Sequence, residues 1–291
     1  MTDTPTCPPL ERVPLRAVID RAAAAIAAKT PFSLVRLGDG EGFMMSASLD
    51  RDSDRVKGVL SCQFGHTDVN PEDLRFIANA LRRSVASADV VGLPTPFQFD
   101  KDLGYRRVFD AIAEDGLCSP PQLLTDANVH WYLQWSGGLA ELIGGRDRIS
   151  LITSRELAPQ ISETFCIGSV RNYPVRGEDR FPGRETERHW PDRFTALLDE
   201  LRHLECGTVF LVGAGVLGKI YCDCIKANGG IAIDIGSVFD AWAGVVSRLR
   251  YGLGSSAFTL GHFAATGADW TSRIASLERC IAEFDIRTAT Y

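Results

Sequence analysis

The chain has 291 residues, 45% of them hydrophobic, enough apolar material for one large domain or two small ones. Charged residues make up 23% and glycine and proline are ordinary, which excludes disordered and fibrous classes. A formal net charge of −6 and a pI near 5.4 argue against a general nucleic-acid binder, which carries a broad basic excess.

Residues 1–9 are polar and proline-rich, lack the basic region and apolar core of a secretory signal, and are expected to be flexible. Residues 10–291 then read as one domain. From Leu10 to about Lys29, apolar residues recur at helical spacing in an alanine-rich segment, which predicts a helix. Seven apolar runs follow as candidate strands: "FSLVRL" (32–37), "DVVGLP" (89–94), "PQLLT" (121–125), "RISLIT" (148–153), "TFCIGS" (164–169), "TVFLVG" (208–213) and "IAIDIG" (231–236). Helical patterns separate them, among them "PEDLRFIANALRRSVASA" and "DRFTALLDELRHLE". Short apolar strands alternating with helices indicate a mostly parallel sheet covered on both faces, an α/β fold of Rossmann-like type. Such sheets bind ligands beyond the carboxyl ends of their strands.

No apolar stretch is long enough to span a bilayer, so no integral membrane segment is expected. The eight cysteines follow no regular framework and, without a signal peptide, read as reduced thiols of a cytoplasmic protein. Cys222 and Cys224 are two apart on an expected helix, point to different faces, and make a poor metal pair. Residues 171–193, "RNYPVRGEDRFPGRETERHWPDR", read as a long arginine-rich loop, either solvated or facing an anionic ligand. A helical segment is expected to close the chain.

Two strand ends carry the chemistry. After "FSLVRL", Arg36, Asp39 and Glu41 are interleaved with Gly38, Gly40 and Gly42, glycines that let the backbone approach a ligand closely and make Gly38 and Gly40 candidate donor-binding residues. Asp39 can cap a helix and Glu41 suits its positive end. Capping leaves Arg36 unexplained, because a charge in an apolar strand needs a partner. Two carboxylates spaced by one residue also suit Mg²⁺ or Mn²⁺, with Arg36 pairing to them or to a phosphate. The second strand end is "VGAGVLGKIYCDCIKANGGIAIDIGS". There Gly213, Gly215 and Gly218 form G-x-G-x-x-G between a strand and a helix, and Asp234 ends the next strand. By itself this pattern suggests a nucleotide held at a glycine turn, NAD(P) included.

Together the blocks resemble the GT-D fold glycosyltransferases, whose R-x-G-D-G-E signature matches "RLGDGE" and whose glycine turn and terminal strand match "VGAGVLG…AIDIG". The resemblance spans about residues 30 to 240 and is sharp only at these blocks. It implies a metal-dependent transferase of hexosyl type that uses a nucleoside-diphosphate sugar, with a UDP-sugar as the expected donor. Asp39 and Glu41 would serve the metal and the donor diphosphate, and Arg36 would help them stabilise the charge on the leaving group, making the three the expected catalytic residues. Asp234 and the Gly213 to Gly218 turn would shape the nucleotide pocket. The acceptor would be a glycan, a lipid-linked molecule or a protein in surface polysaccharide or glycoconjugate synthesis. A homo-oligomer and a working position at the inner face of the membrane stay open.

If the reaction needs a general base, Asp234, Asp240 and His189 are candidates, although His189 beside Trp190 also reads as a surface histidine. His66, His130, His203 and His262 lack zinc-ligand spacing. Trp131 and Trp135 suit core packing better than sugar stacking. No P-loop or G-x-S-x-G elbow is present. An NAD(P)-dependent oxidoreductase and a non-catalytic nucleotide-sugar-binding module are the competing readings.

Overall fold

Seven short runs rich in Val, Ile, Leu and Phe pair side by side. In chain order they are β1 (Phe32–Arg36), β2 (Val90–Leu93), β3 (Leu123–Asp126), β4 (Arg148–Thr153), β5 (Ser169–Pro174), β6 (Val209–Gly213) and β7 (Ile231–Asp234). In this computed structural model they form one sheet of order β3-β2-β1-β7-β6-β4-β5. Every pairing is parallel; Leu34 of β1, for example, lies opposite Val90 on one side and Ile233 on the other. The structure describes residue 8 and residues 10–46, 53–183, 185, 187–248 and 259–260. The central strands are buried on both faces, which is why their sequences are apolar apart from Ser33, Arg36 and Asp234.

One face is covered by α1 (Leu15–Ala28), α7 (Val129–Ser136), α8 (Gly138–Ile143), α9 (Ala158–Thr164) and α12 (Val238–Trp242). The other carries α2 (Asp39–Met45), α3 (Ser53–Phe64), α4 (Pro71–Ser87), α5 (Pro96–Lys101), α6 (Leu103–Asp115), α10 (Phe194–Leu201) and α11 (Leu217–Ala227). Local chemistry sets the helix ends. Asn70 accepts the backbone N–H of Asp73 at 2.8 Å, Pro71 opens α4, and Gly116, at φ 62°, closes α6.

Right-handed crossovers decide which face each helix takes. The steps β1 to β2 to β3 and β6 to β7 run one way along the sheet, and the step β4 to β5 runs the other. Leaving β1, the chain turns into α2 on one face; leaving β7, it turns into α12 on the opposite face. The two segments diverge and leave a crevice beyond the carboxyl ends of β1 and β7, the ligand position of open α/β sheets.

Two expectations need correction. The strand expected at 164–169 lies at 169–174. Phe165 and Ile167 are apolar because they anchor the end of α9 in the core, while Cys166 sits at φ 53° and breaks any strand. The real β5, "SVRNYP", is an exposed edge strand and therefore polar. The arginine-rich loop is shorter by the same shift, since Arg171 stands on β5 with its guanidinium 4.6 Å from the Tyr173 ring. Apart from Pro8, the N-terminal segment 1–9 lies outside the described residues. The expected C-terminal helical segment also lies outside them, except for residues 243–248 and 259–260. Residues 243–248 carry no helix. Among the described residues, no helix is long and apolar enough to cross a membrane.

Candidate functional site

The site begins where β1 stops. Gly38 precedes α2, and Glu41 folds back so that its Oε2 accepts the Gly38 N–H at 2.8 Å. This half of a capping box, the only half a glycine N-cap allows, satisfies a backbone donor at the helix start. The glycines here serve packing. A Cβ on Gly42 would overlap the carbonyl oxygen of Gly104, so α2 lies directly against α6. A Cβ on Gly40 would sit 3.3 Å from Val216 and 3.5 Å from Gln63.

Below α2 lies a network of four charges. The Arg36 Nη2 donates to Asp234 Oδ1 at 3.1 Å, its Nε to the Asp234 carbonyl at 3.1 Å, and its Nη1 to the Ala127 carbonyl at 3.2 Å. The same Nη1 lies 3.0 Å from the His130 Nδ1. Lys219, from the first turn of α11, reaches Glu41 Oε1 at 2.7 Å, Asp234 Oδ2 at 3.0 Å and the Gly215 carbonyl at 3.1 Å. The ammonium thus donates to the Gly215 carbonyl and forms ion pairs with both carboxylates. Two cations face two carboxylates, and Glu41, Lys219 and Asp234 are all buried. Burial alone would raise the Asp234 carboxyl, but Arg36 and Lys219 outweigh it and hold it below its ordinary value. Burial would lower Lys219, yet Asp234 and Glu41 hold it above its ordinary value. Burial, with help from Arg36 and Lys219, keeps His130 neutral, so its ring nitrogen accepts from Arg36.

Above this base opens a cleft of about 1250 Å³ at the carboxyl end of the sheet. Asp39 faces it. The carboxylate keeps an accessible side, but surrounding protein strips much of its hydration and Glu41 adds repulsion, so its pKa is raised. Among the described residues no cation pairs with Asp39. Lys101, Tyr105 and Trp131 line the flank toward β2 and β3, and Arg155, Arg176 and Arg248 line the opposite flank.

The two sequence blocks therefore converge, with roles that differ from those expected. Arg36, Glu41 and Asp234 form the internal network. Asp234, the residue a dinucleotide fold offers to a ribose, is 2% exposed and engaged by two cations, which argues against NAD(P). At the glycine turn, Gly213 is required because a Cβ would meet Phe239 at 2.5 Å, and Gly215 adopts φ +56°. Gly218 has only ordinary van der Waals neighbours. His189 is not a surface residue: it is 2% exposed, its Nε2 lies 2.9 Å from the Tyr221 hydroxyl, and burial pushes its pKa down to about 3. Asp240 pairs with Arg155 at 2.7 Å. None of the three candidate bases is a carboxylate or imidazole left to itself. Trp135 is 36% exposed rather than part of the core, and Trp131 is half-buried against the His130 ring at 4.7 Å.

Sequence reasoning missed Lys219, Gln63, His130 and Arg155. Lys219 left a signal: it stands on the apolar face of α11 between Leu217 and Ile220, where a charge needs a partner. The others depend on tertiary contacts far apart in the chain.

The expected metal pair does not fit as a pair. Both Glu41 oxygens are taken, one by Lys219 and one by the Gly38 N–H. Among the described residues no three His, Cys, Asp or Glu side chains group as a metal site. Asp39 alone fits a cation of the Mg²⁺ type, which normally takes one or two carboxylates and completes its shell with water and substrate phosphates.

Comparison with known proteins agrees with the fold. Residues 13–242 match the model of the GT-D-like family, described as a GT-D fold-like domain. No curated protein matches. A solved selenomethionine-substituted structure of domain of unknown function 1792 superposes with a TM-score of 0.50 at 14% identity over 78% of each chain. A second, described as the highly conserved domain of unknown function 1792 with a distinct glycosyltransferase fold, gives 0.48 at 16% identity over 78% of each chain. A third, described as a new glycosyltransferase of that domain type from Streptococcus sanguinis, gives 0.48 at 15% identity, covering 75% of this chain and 79% of that one.

Proposed function

The chain belongs to the GT-D-like family, and from that premise we propose that it is a glycosyltransferase that moves a sugar from a nucleoside-diphosphate donor to a glycan, lipid-linked or protein acceptor. The observation that carries the reading is the convergence of both sequence blocks at the floor of one cleft, tied by Arg36, Asp234, Lys219 and Glu41 below an outward-facing Asp39. UDP-sugars are the first donors to test, and surface polysaccharide or glycoconjugate synthesis is the setting in which such transfer belongs.

Breaking the anomeric bond leaves negative charge on the departing nucleoside diphosphate. A divalent cation, Mn²⁺ or Mg²⁺, carried by the donor phosphates and held by Asp39, would stabilise that charge. The chain's own part is positional. The neutral network fixes the end of β1 against the end of β7, so Asp39 is presented from a rigid base. Arg176 and Arg248 flank the opening, where Asp179 and Glu178 now hold them. Tyr105 and Trp131 give the other flank partly exposed aromatic surface for an acceptor.

The test is a nucleotide-sugar screen by thermal shift with and without Mn²⁺, followed by a transfer and donor-hydrolysis assay. Stabilisation by one nucleoside-diphosphate sugar with turnover supports the reading. Binding without hydrolysis or transfer to any acceptor favours a non-catalytic module instead.

A further inference from the structure

The glycine turn after β6 has the form that seats a dinucleotide's pyrophosphate, but the seat already has an occupant. Gln63, in the last turn of α3, places its Oε1 2.7 Å from the backbone N–H of Val216, the residue that opens α11. A Cβ on Gly215 would overlap that same oxygen, so the glycine and its left-handed φ accommodate the glutamine. The carboxamide oxygen thus accepts the N–H that would meet a phosphate oxygen in a dinucleotide-binding turn. Its other end lies toward Gly40, where a Cβ would come within 3.5 Å of Nε2. Gln63 therefore stands between the two glycine segments.

The glutamine is not loosely placed. The Cys62 carbonyl accepts the Asp179 N–H at 2.9 Å, the Arg176 guanidinium packs on Gly65, and His66 Nε2 lies 2.8 Å from the Trp190 carbonyl. The end of α3 is thereby clamped to Arg176, Asp179 and Trp190, and the Gln63 side chain is held against the turn from outside.

We propose that Gln63 is a specificity-determining residue: its carboxamide fills the phosphate seat of the 213–218 turn, excludes dinucleotides, and confines the donor diphosphate to the side of the cleft beside Asp39. The placement of the donor rests on the function proposed above; the filling of the seat does not.

The experiment compares the full chain with Gln63→Ala, Gln63→Ser and Gln63→Glu. Calorimetry with inorganic pyrophosphate and with UDP, and fluorescence with NADH, supply the readouts; circular dichroism confirms folding. Wild type is expected to bind UDP and to show no NADH binding. Gln63→Ala and Gln63→Ser should each gain at least fivefold in pyrophosphate affinity while UDP affinity changes less than threefold. Gln63→Glu, which still offers an oxygen to Val216, should gain nothing. Unchanged pyrophosphate affinity in both shortened variants overturns the filled seat. A tenfold loss of UDP affinity overturns it too, because Gln63 would then be a donor contact. If wild type binds no UDP, the donor reading fails while the pyrophosphate comparison still decides the role of Gln63.

Discussion

Lys219 holds the site together from below, and its removal should be felt first as instability. Without it, Asp234 keeps Arg36, while Glu41 is a buried carboxylate left with the Gly38 N–H and no cation. Removing one member of a buried, hydrogen-bonded charge group costs about 3–5 kcal/mol. Lys219→Met should lower unfolding free energy by that order in urea denaturation. Adding Glu41→Gln restores charge balance and should recover part of it, a coupling that a double-mutant cycle measures. A second residue contributes to the acid limit. His189 has an ordinary value of 6.5 and a folded value of about 3, so the unfolded chain takes up a proton that the folded chain refuses. Stability is then full above pH 6.5 and falls as pH drops toward 3. At pH 5 the loss from this residue is about 2 kcal/mol, from 1.36 kcal/mol per pH unit. Denaturation at pH 8 and pH 5 should show it, and His189→Asn should reduce the difference by about 2 kcal/mol, leaving the part due to His130, which burial also holds neutral. An unchanged difference in that variant would assign the acid sensitivity elsewhere. Asp234, held below its ordinary value, adds a loss only at more acidic pH.

At the scale of elements, the placement of Asp39 depends on how closely α2 lies on α6. Gly42 and Gly104 allow that approach, and a Cβ on Gly104 would come within 2.6 Å of the Asp39 carbonyl oxygen. Gly42→Ala must push the helices apart, at about 1–3 kcal/mol for an overpacked contact, and should weaken nucleotide binding by shifting Asp39. Gly58→Ala in α3 is the contrast: nothing lies within 4 Å of its new Cβ. It should stabilise by about 0.5–1 kcal/mol, because glycine disfavours helix interiors. Thermal denaturation of the pair separates close packing from helix propensity. These glycines also show what the sequence disclosed. "GDGEG" could be placed at a strand end because β1 is buried and, apart from Ser33 and its terminal Arg36, apolar. The glycines there read as room for a ligand, and their packing role shows only with the partner helix, some 60 residues away in the chain, in place. The central strands were legible for the same reason that β5 was not: burial on two faces writes itself into composition, whereas an exposed edge strand leaves a polar sequence. The pairing of Arg36 with Asp234 was half legible, since a charge in an apolar strand demands a partner without naming it. Gln63 left no trace, because an amide on a half-exposed helix turn resembles any surface residue.

For the molecule as a whole, the cleft is walled by charges that already cancel. Arg36, Arg155, Arg176, Lys219 and Arg248 each face a carboxylate, in keeping with a chain of net charge −6. Such a cleft sets up no strong fixed positive field for a diphosphate, so under the proposed function the compensating charge would come from a cation that arrives with the donor. Asp39 is the carboxylate positioned to meet it, whereas Glu41 is committed to Lys219 and to the cap of α2. The two acids should therefore fail in different ways. Asp39→Asn should abolish the Mn²⁺ dependence of UDP affinity and leave unfolding free energy close to wild type, because the replaced carboxylate is crowded and unpaired. Glu41→Gln should keep the Mn²⁺ dependence but lower stability by about 1–3 kcal/mol, the loss of a buried charged hydrogen bond. Calorimetry with and without Mn²⁺, beside urea denaturation of each variant, reads both quantities. If Glu41→Gln instead loses metal dependence as completely as Asp39→Asn with no loss of stability, the acids act as a chelating pair, and Lys219 must release Glu41 when the donor binds.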